Sequence, residues 1–173
     1  ELSLIKEHDH YYLKSSVIDG FKALTTTIAE NDITGAYPYK FTYEKLQQSV
    51  LSFEADIQEK LLIIVSNNKK ESFKISYNIN NGFIQLDRTK SGLVDFNEKY
   101  KASAIQKMQI GNQKKLAITL VLDASSIEIF INDGQYVMTN QLFPNEAFTH
   151  FEILPKENVK VSNFKIQFIN KSM

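Results

Sequence analysis

The stretch LAITLVLDASSIEIFINDG, residues 116–134, contains two apolar runs, each followed by residues that favour turns. Leucine and isoleucine occupy every second position over 116–122, and isoleucine does so over 127–131. A period of two places these side chains on one face of a strand. Asp123-Ala124-Ser125 separates the two runs, and Asn132-Asp133-Gly134 ends the second with residues that tolerate or freely adopt a positive φ. The stretch therefore predicts two antiparallel strands, each with one buried face.

The same alternation recurs in other parts of the chain. Apolar residues occupy every second position in residues 51–57, 73–79 and 164–168. The triplet Asn80-Asn81-Gly82 separates two apolar runs and predicts a further hairpin. Many short strands separated by turns are typical of all-β domains with two layers. We therefore predict an all-β fold, a two-sheet antiparallel β-sandwich.

Two segments depart from this alternation. The run LLIIV (61–65) is continuously apolar, which predicts a central strand that is covered on both faces. Residues 95–108, DFNEKYKASAIQKM, show no clear period of either kind. They predict a long loop that contains one helical turn.

The composition excludes several classes of function. The 173 residues include 20 Lys and Arg, 20 Asp and Glu, and no cysteine. A formal net charge of zero without a basic run disfavours nucleic acid as a partner. The absence of cysteine excludes disulfides, thiolate metal sites and thiol catalysis. The run 61–65 is far shorter than the roughly 20 apolar residues of a membrane helix, so we predict no membrane partner.

The triplet His8-Asp9-His10 is a candidate metal site, because a strand would place both imidazoles on one side. Metal sites need three or four converging ligands, and His150 is the only other histidine. We therefore interpret the triplet as part of a solvated linker, and we predict neither a metal nor a cofactor.

The segment AYPYKFTYE (36–44) places aromatic residues at alternate positions, including Tyr37, Tyr39 and Tyr43. Aromatic rings stack on the apolar faces of sugars, and the tyrosine hydroxyl adds a hydrogen-bonding group, so this ladder is a candidate sugar-binding platform. The other interpretation is that the rings pack against the sheet or a neighbouring domain, and we favour it. Pro38 cannot donate a ladder hydrogen bond, which places the segment at an edge.

Glu128 is the candidate for acid–base chemistry, because it lies on the face opposite the isoleucines of its predicted strand. Glycoside hydrolysis uses two carboxyl groups, about 5–5.5 Å apart for retention or 6.5–9.5 Å apart for inversion. A second carboxylate would have to come from a neighbouring strand, since the strand that carries Glu128 supplies none. We interpret it as a surface or interface residue.

The stretches GFIQLDRTKSG (82–92) and LVLDASSIEIFINDGQYVMTNQLFP (120–144) resemble the C-terminal β-sandwich module of glycoside hydrolase family 32. That family contains the invertases, levanases, inulinases and sucrose-6-phosphate hydrolases. The resemblance covers roughly residues 45–170. The matching positions are Leu86, Asp87, Arg88, Ser91, Gly92, Asp123, Ser125, Ser126, Glu128, Phe130, Asn132, Asp133, Gly134, Thr139, Phe143 and Pro144.

The resemblance implies one part of a two-part enzyme. Family members carry the active site in a five-bladed β-propeller, and a sandwich of the jelly-roll or concanavalin A-like lectin type packs against it. The propeller performs retaining hydrolysis of β-fructofuranosides with an aspartate nucleophile, a second aspartate in Arg-Asp-Pro and a glutamate acid/base in Glu-Cys. This chain has no tryptophan or cysteine, and none of its three prolines follows an aspartate. The resemblance therefore carries over no catalytic residue, and implies that Asp87, Arg88 and Glu128 are polar anchors in the sandwich or at a domain interface.

The resemblance also implies how the chain is organised. We expect residues 1–20 to be a linker remnant from an upstream catalytic domain, and residues 21–173 to form a single β-sandwich domain. The expected function is a non-catalytic accessory domain of a β-fructofuranosidase-type enzyme, with the upstream β-propeller as its partner. A module that binds fructan or fructo-oligosaccharides and a homodimerisation domain are the alternatives. An extracellular location is favoured over a cytoplasmic one.

Overall fold

The fold is described by a computed structural model, which covers residues 1–7, 9–33, 38–156 and 159–170. Its elements are β1 (Leu2–Glu7), β2 (His10–Ser15), α1 (Asp19–Lys22), β3 (Thr25–Ile33), β4 (Tyr39–Thr42), β5 (Ser49–Asp56), β6 (Lys60–Ser66), β7 (Ser72–Asn78), β8 (Phe83–Lys90), α2 (Glu98–Ala102), β9 (Ile105–Gln109), β10 (Lys115–Asp123), β11 (Ser126–Ile131), β12 (Tyr136–Gln141), β13 (His150–Lys156) and β14 (Lys160–Ile169). A short 3-10 turn at Leu46–Gln48 precedes β5.

The strands form two six-stranded antiparallel sheets. The first sheet has the strand order β12-β11-β10-β5-β14-β3, and the second has the order β4-β13-β6-β7-β8-β9. Among the described strands, β1 and β2 pair only with each other and make a separate N-terminal hairpin. The two-sheet antiparallel β-sandwich predicted from the sequence is confirmed.

The core lies between the two sheets and is built from the inward positions of the alternating runs. In β10 and β11 the inward leucines and isoleucines are at most 2% exposed. The turn between β11 and β12 has positive φ values at Asn132 (51°), Asp133 (56°) and Gly134 (89°). The stretch that predicted two strands and a tight turn therefore forms both.

The run LLIIV forms β6, which lies between β13 and β7 inside the second sheet. Leu61, Ile63 and Val65 are buried in the core, whereas Leu62 and Ile64 on the opposite face are only partly buried. The prediction of a central strand is confirmed, but the prediction of full cover on both faces is wrong. The outward pair lies among polar neighbours such as Lys74 of β7.

The N-terminal segment, for which the sequence predicted a linker, contains the hairpin and then α1. The hairpin is attached to the turn after β11, because the Ser15 amide donates to the Gly134 carbonyl oxygen at 2.9 Å. A Cβ on Gly134 would lie 1.6 Å from the Ser15 carbonyl oxygen. Two further bonds join Glu1 and Ser16, from the Ser16 amide to the Glu1 carbonyl and from the Glu1 ammonium to the Ser16 carbonyl.

Candidate functional site

Arg88, predicted as a polar anchor, is buried at the end of β8 and is only 3% exposed. Its Nη2 donates to the Tyr100 carbonyl oxygen at 2.6 Å and to the Ser103 hydroxyl at 2.7 Å. Its guanidinium carbon lies 3.5 Å from the centroid of the Tyr100 ring, a cation–π contact. No carboxylate of the described chain lies within 4.0 Å of Arg88. The guanidinium group is therefore held by aromatic stacking and by neutral acceptors, and these contacts hold α2 against the second sheet.

The Asp87 side chain forms hydrogen bonds only with a residue two positions further along the chain, as far as the described residues show. Its Oδ1 accepts hydrogen bonds from the Thr89 amide at 2.9 Å and from the Thr89 hydroxyl at 2.6 Å. Asparagine and aspartate commonly close turns in this way. Asp87 thus shapes the end of β8.

The two sequence motifs meet where Gly92 passes Phe143 and Pro144. Gly92 has a φ of 115°, and a Cβ on it would lie 2.2 Å from the Phe143 carbonyl oxygen. The Leu93 amide donates to that same oxygen at 2.8 Å. Only glycine permits this approach of one backbone to another. The motif 82–92 and the end of the motif 120–144 therefore close one end of the sandwich together.

Tyr100 extends this contact to β12. Its hydroxyl donates to the Gln141 carbonyl oxygen at 2.7 Å. Burial raises the pKa of Tyr100, and the charge and hydrogen bonding of Arg88 offset only part of that rise. The phenol therefore stays protonated, as a donor, over the pH range in which proteins usually work.

Glu128 lies elsewhere, on the outer face of the first sheet. It is opposite Val121 of β10 and Thr139 of β12 in the strand register. It lines a cavity of about 430 Å³ together with Phe130, Val17 and other residues of the N-terminal segment, including Glu1. Within the described chain its carboxylate has no hydrogen-bond or ion-pair partner. The structure therefore does not bring Glu128 together with Asp87 or Arg88, which belong to the second sheet.

The tyrosine ladder lies against the core. Tyr39 and Tyr43 are partly buried and pack against the core cluster. The Tyr39 ring centroid lies 5.1 Å from that of Phe164, in an edge-on contact. Burial raises the pKa of the Tyr39 hydroxyl. The strand that carries Tyr39, β4, is an edge strand of the second sheet, and Tyr37 lies outside the described residues.

The sequence did not predict a cavity of about 460 Å³ that lies between the N-terminal hairpin and the outer face of the first sheet. We call it the hairpin cavity. It is lined by Ser3, Ile5, Lys14, Ser15, Ser16, Val17, Phe21, Lys22, Thr25, Val50, Ser52, Thr119, Phe130, Asp133 and Gln167. The alternation of β5, β10 and β11 places Ser52, Thr119 and Phe130 outward, but nothing in the sequence shows that a hairpin covers them.

The side of the hairpin that faces away from this cavity is apolar. Leu2 and Leu4 are each 66% exposed, Tyr11 is 62% exposed and Leu13 is 57% exposed. Leu4 is directly opposite Leu13, and Lys6 is opposite Tyr11 with its Nζ 5.5 Å from the ring centroid. We call this surface the outer hairpin face.

The described part of the chain has neither a metal-binding cluster nor a membrane-spanning helix. No group of three or more His, Cys, Asp or Glu residues there is arranged to hold a metal ion. His10 begins β2, and His8 lies outside the described residues. The described helices are all too short to cross a membrane.

Comparisons of this chain with family models, curated sequences and solved structures agree with one another. Residues 18–168 match the sequence model described as glycosyl hydrolases family 32 C terminal. The chain is 30% identical over 115 residues to a sucrose-6-phosphate hydrolase of Streptococcus mutans, covering 66% of this chain and 23% of that protein. It is 24% identical over 148 residues to a levanbiose-producing levanase of Bacillus subtilis, covering 83% of this chain and 28% of that protein. The exo-inulinase of Aspergillus awamori superposes with a TM-score of 0.73 at 17% identity, over 97% of this chain and 34% of that structure.

Proposed function

The chain belongs to the family of C-terminal domains of family 32 glycosyl hydrolases, and we propose that it is the non-catalytic accessory domain of a β-fructofuranosidase-type enzyme. In this proposal the domain packs against the catalytic β-propeller of that enzyme and stabilises it. The chain spans about a quarter of the length of the curated relatives it matches. The activity of the whole enzyme, its substrate and its other domain are therefore part of the proposal.

A non-catalytic role is supported by what the shared motif residues do. Arg88 and Asp87 bind backbone and side chains of their own domain, and Gly92 permits a close backbone contact. Glu128 has mainly apolar neighbours in its cavity, among them Val121 and Phe130. A glycosidase needs two carboxyl groups that are placed on either side of a bound sugar. The other carboxylate that lines this cavity belongs to Glu1, an exposed residue of the N-terminal segment.

The outer hairpin face is the observation that carries the packing proposal. A hairpin of two strands is only marginally stable in water, and it needs further strands or a covering layer. Here both strands have one unpaired edge, and three leucines and a tyrosine point into solvent. Burying the exposed part of each leucine would contribute about 1–2 kcal/mol. We infer that the catalytic domain covers this face.

The first experiment measures fructose release from sucrose, inulin and levan by the chain alone. We expect no turnover. Fructose release that is lost in a Glu128→Gln variant would show that the chain is itself an enzyme and would overturn the non-catalytic role.

The second experiment tests the packing surface in the enzyme that contains this domain. Leu4→Asp and Leu13→Asp should lower its thermal midpoint by several degrees, because each places a charge in the interface. In the chain alone the same changes should cost little, since both leucines are mostly exposed. Ile28→Asp is the matched control, because Ile28 is 47% exposed but lies on β3, outside the hairpin. Equal effects of all three changes in the enzyme would contradict packing through the hairpin.

Sedimentation of the chain alone separates this proposal from homodimerisation. The outer hairpin face could also pair with a second copy, and a dimer that is lost in Leu4→Asp would favour that reading. We expect weak, concentration-dependent association at most, because the face consists of Leu2, Leu4, Lys6, Tyr11 and Leu13, whereas stable interfaces use roughly 20–30 residues a side.

A further inference from the structure

We propose that the hairpin cavity is a binding site for a short neutral oligosaccharide of two or three sugar rings. The proposal is independent of the packing role, which concerns the opposite side of the hairpin. The hairpin cavity has a volume of about 460 Å³, which lies within the range of small-molecule sites, roughly 300–1,000 Å³.

The floor of the cavity is a continuous patch of the first sheet. Phe130 of β11 is opposite Thr119 of β10, and Thr119 is opposite Ser52 of β5. In the neighbouring row, Val50 of β5 is opposite Gln167 of β14. An aromatic ring therefore lies beside a row of hydroxyl and amide groups on one surface.

This floor matches the chemistry of a sugar. A pyranose or furanose has an apolar face of C–H groups that contacts an aromatic ring, and a rim of hydroxyls that both donate and accept. Threonine and serine hydroxyls have the same double capacity. Phe21 of α1 adds a second ring to the lining from the side of the N-terminal segment.

Part of the wall is held in position by its own hydrogen bonds. Gln167 Nε2 donates to the Thr25 hydroxyl oxygen at 2.9 Å, and the Thr25 hydroxyl donates to the Lys22 carbonyl at 2.7 Å. Groups that are already oriented lose less conformational entropy when a ligand binds.

The charges of the lining favour a neutral ligand over an anion. The lining contains two lysines and one aspartate. Lys22 is paired with Asp19, with Nζ and Oδ1 2.9 Å apart. Lys14 and Asp133 remain, one of each sign, so the cavity offers no excess of positive charge to bind a phosphate.

The experiment is a titration of the chain with sucrose and with a fructose trisaccharide, followed by amide chemical shifts in NMR. Thr119→Val keeps the shape of the side chain but removes a hydroxyl, and should weaken binding about three- to ten-fold. Phe130→Ala should weaken it about ten-fold or more. Thr139→Val is the matched control, because Thr139 lies on the same sheet but outside the cavity, and it should leave affinity unchanged. The amide spectra of all three variants show whether each remains folded.

Three outcomes would overturn the proposal. The first is that neither sugar shifts any amide of the cavity up to high millimolar concentration. The second is binding that Thr119→Val and Phe130→Ala leave unchanged, since the site would then lie elsewhere. The third is binding of a sugar phosphate alone, lost in Lys14→Met, which would replace the neutral ligand by an anion. None of these results bears on fructose release or on packing through the outer hairpin face.

Discussion

Gly134→Ala should detach the N-terminal hairpin from the sandwich while leaving the sandwich folded. Gly134 has a φ of 89°, and an L-residue in that region costs about 1–2 kcal/mol. The new methyl group would also lie 1.6 Å from the Ser15 carbonyl oxygen and 2.7 Å from the Ser15 carbonyl carbon. Both atoms are backbone, so no side chain can rotate away to make room.

Gly111→Ala is the control that separates these two effects. Gly111 has a similar φ of 81°, but no other atom lies within 4 Å of the position its Cβ would take. We expect this control to lose about 1–2 kcal/mol of the free energy of unfolding from backbone strain alone. Gly134→Ala should lose that amount and, in addition, the 2.9 Å hydrogen bond from Ser15, worth about 0.5–1.5 kcal/mol.

Urea denaturation gives these free energies, and amide hydrogen exchange locates the loss. In Gly134→Ala the amides of β1 and β2 should exchange much faster than in the wild type, whereas those of β10 and β5 should stay protected. In Gly111→Ala the hairpin amides should keep their protection. Equal protection of the hairpin in the two variants would refute the inference that Gly134 seats the hairpin on the first sheet.

Three further predictions follow from single contacts. Arg88→Lys should lower the free energy of unfolding, measured by urea denaturation, by about 2 kcal/mol, because lysine cannot both stack on Tyr100 and reach its carbonyl oxygen. The control is Lys90→Arg, at an exposed position nearby, which should change the free energy of unfolding little. Partial burial alone would raise the pKa of Glu71, but hydrogen bonds from Asn145 and Asn67 outweigh it and hold this pKa below its usual range. The stabilising effect of Glu71 should be complete above the ordinary glutamate pKa of about 4.3 and be lost as the pH falls through the lower pKa of the folded state. Glu71→Gln should therefore make the thermal midpoint depend less on pH between neutral pH and pH 3. A pH dependence equal to that of the wild type would contradict this. Tyr39→Ala should lower the free energy of unfolding by a few kcal/mol without changing sugar affinity, because the Tyr39 ring packs on Phe164. A loss of sugar affinity in a folded variant would instead support the tyrosine ladder as a sugar platform.

The strands of the core could be predicted from the sequence because apolar and polar residues alternate along each of them. The inward residues of β10 and β11 have a period of two, and the turn residues between them leave one pairing that keeps every apolar side chain inside. β9 was missed, since Ile105 points outward and the inward Gln106 is polar. An edge strand with this composition carries no alternation that marks it as part of a sheet.

The roles of the candidate site residues could be predicted only in part. The stretch 82–92 indicated that Arg88 and Gly92 matter, but their partners, Tyr100 and Phe143, lie in other segments. A buried arginine is usually expected to pair with a carboxylate, and here a carbonyl oxygen, a hydroxyl and an aromatic face take that place. The hairpin cavity could not be predicted, because it depends on where the first 15 residues lie against the sheet.

The position of Arg88 has a consequence for the engineering of this domain. From a strand of the second sheet, one side chain holds α2 through the Tyr100 carbonyl and the Ser103 hydroxyl. The loop ahead of α2 begins at Leu93 and includes Phe96, and both side chains are about half exposed. The Phe96 ring still packs on Tyr100 and Phe143, with centroids 4.8 and 5.2 Å away, and the Leu93 amide donates to the Phe143 carbonyl. An insertion between the two residues would therefore leave the inner framework undisturbed only if it kept both in place. We expect this segment to accept a grafted loop under that condition.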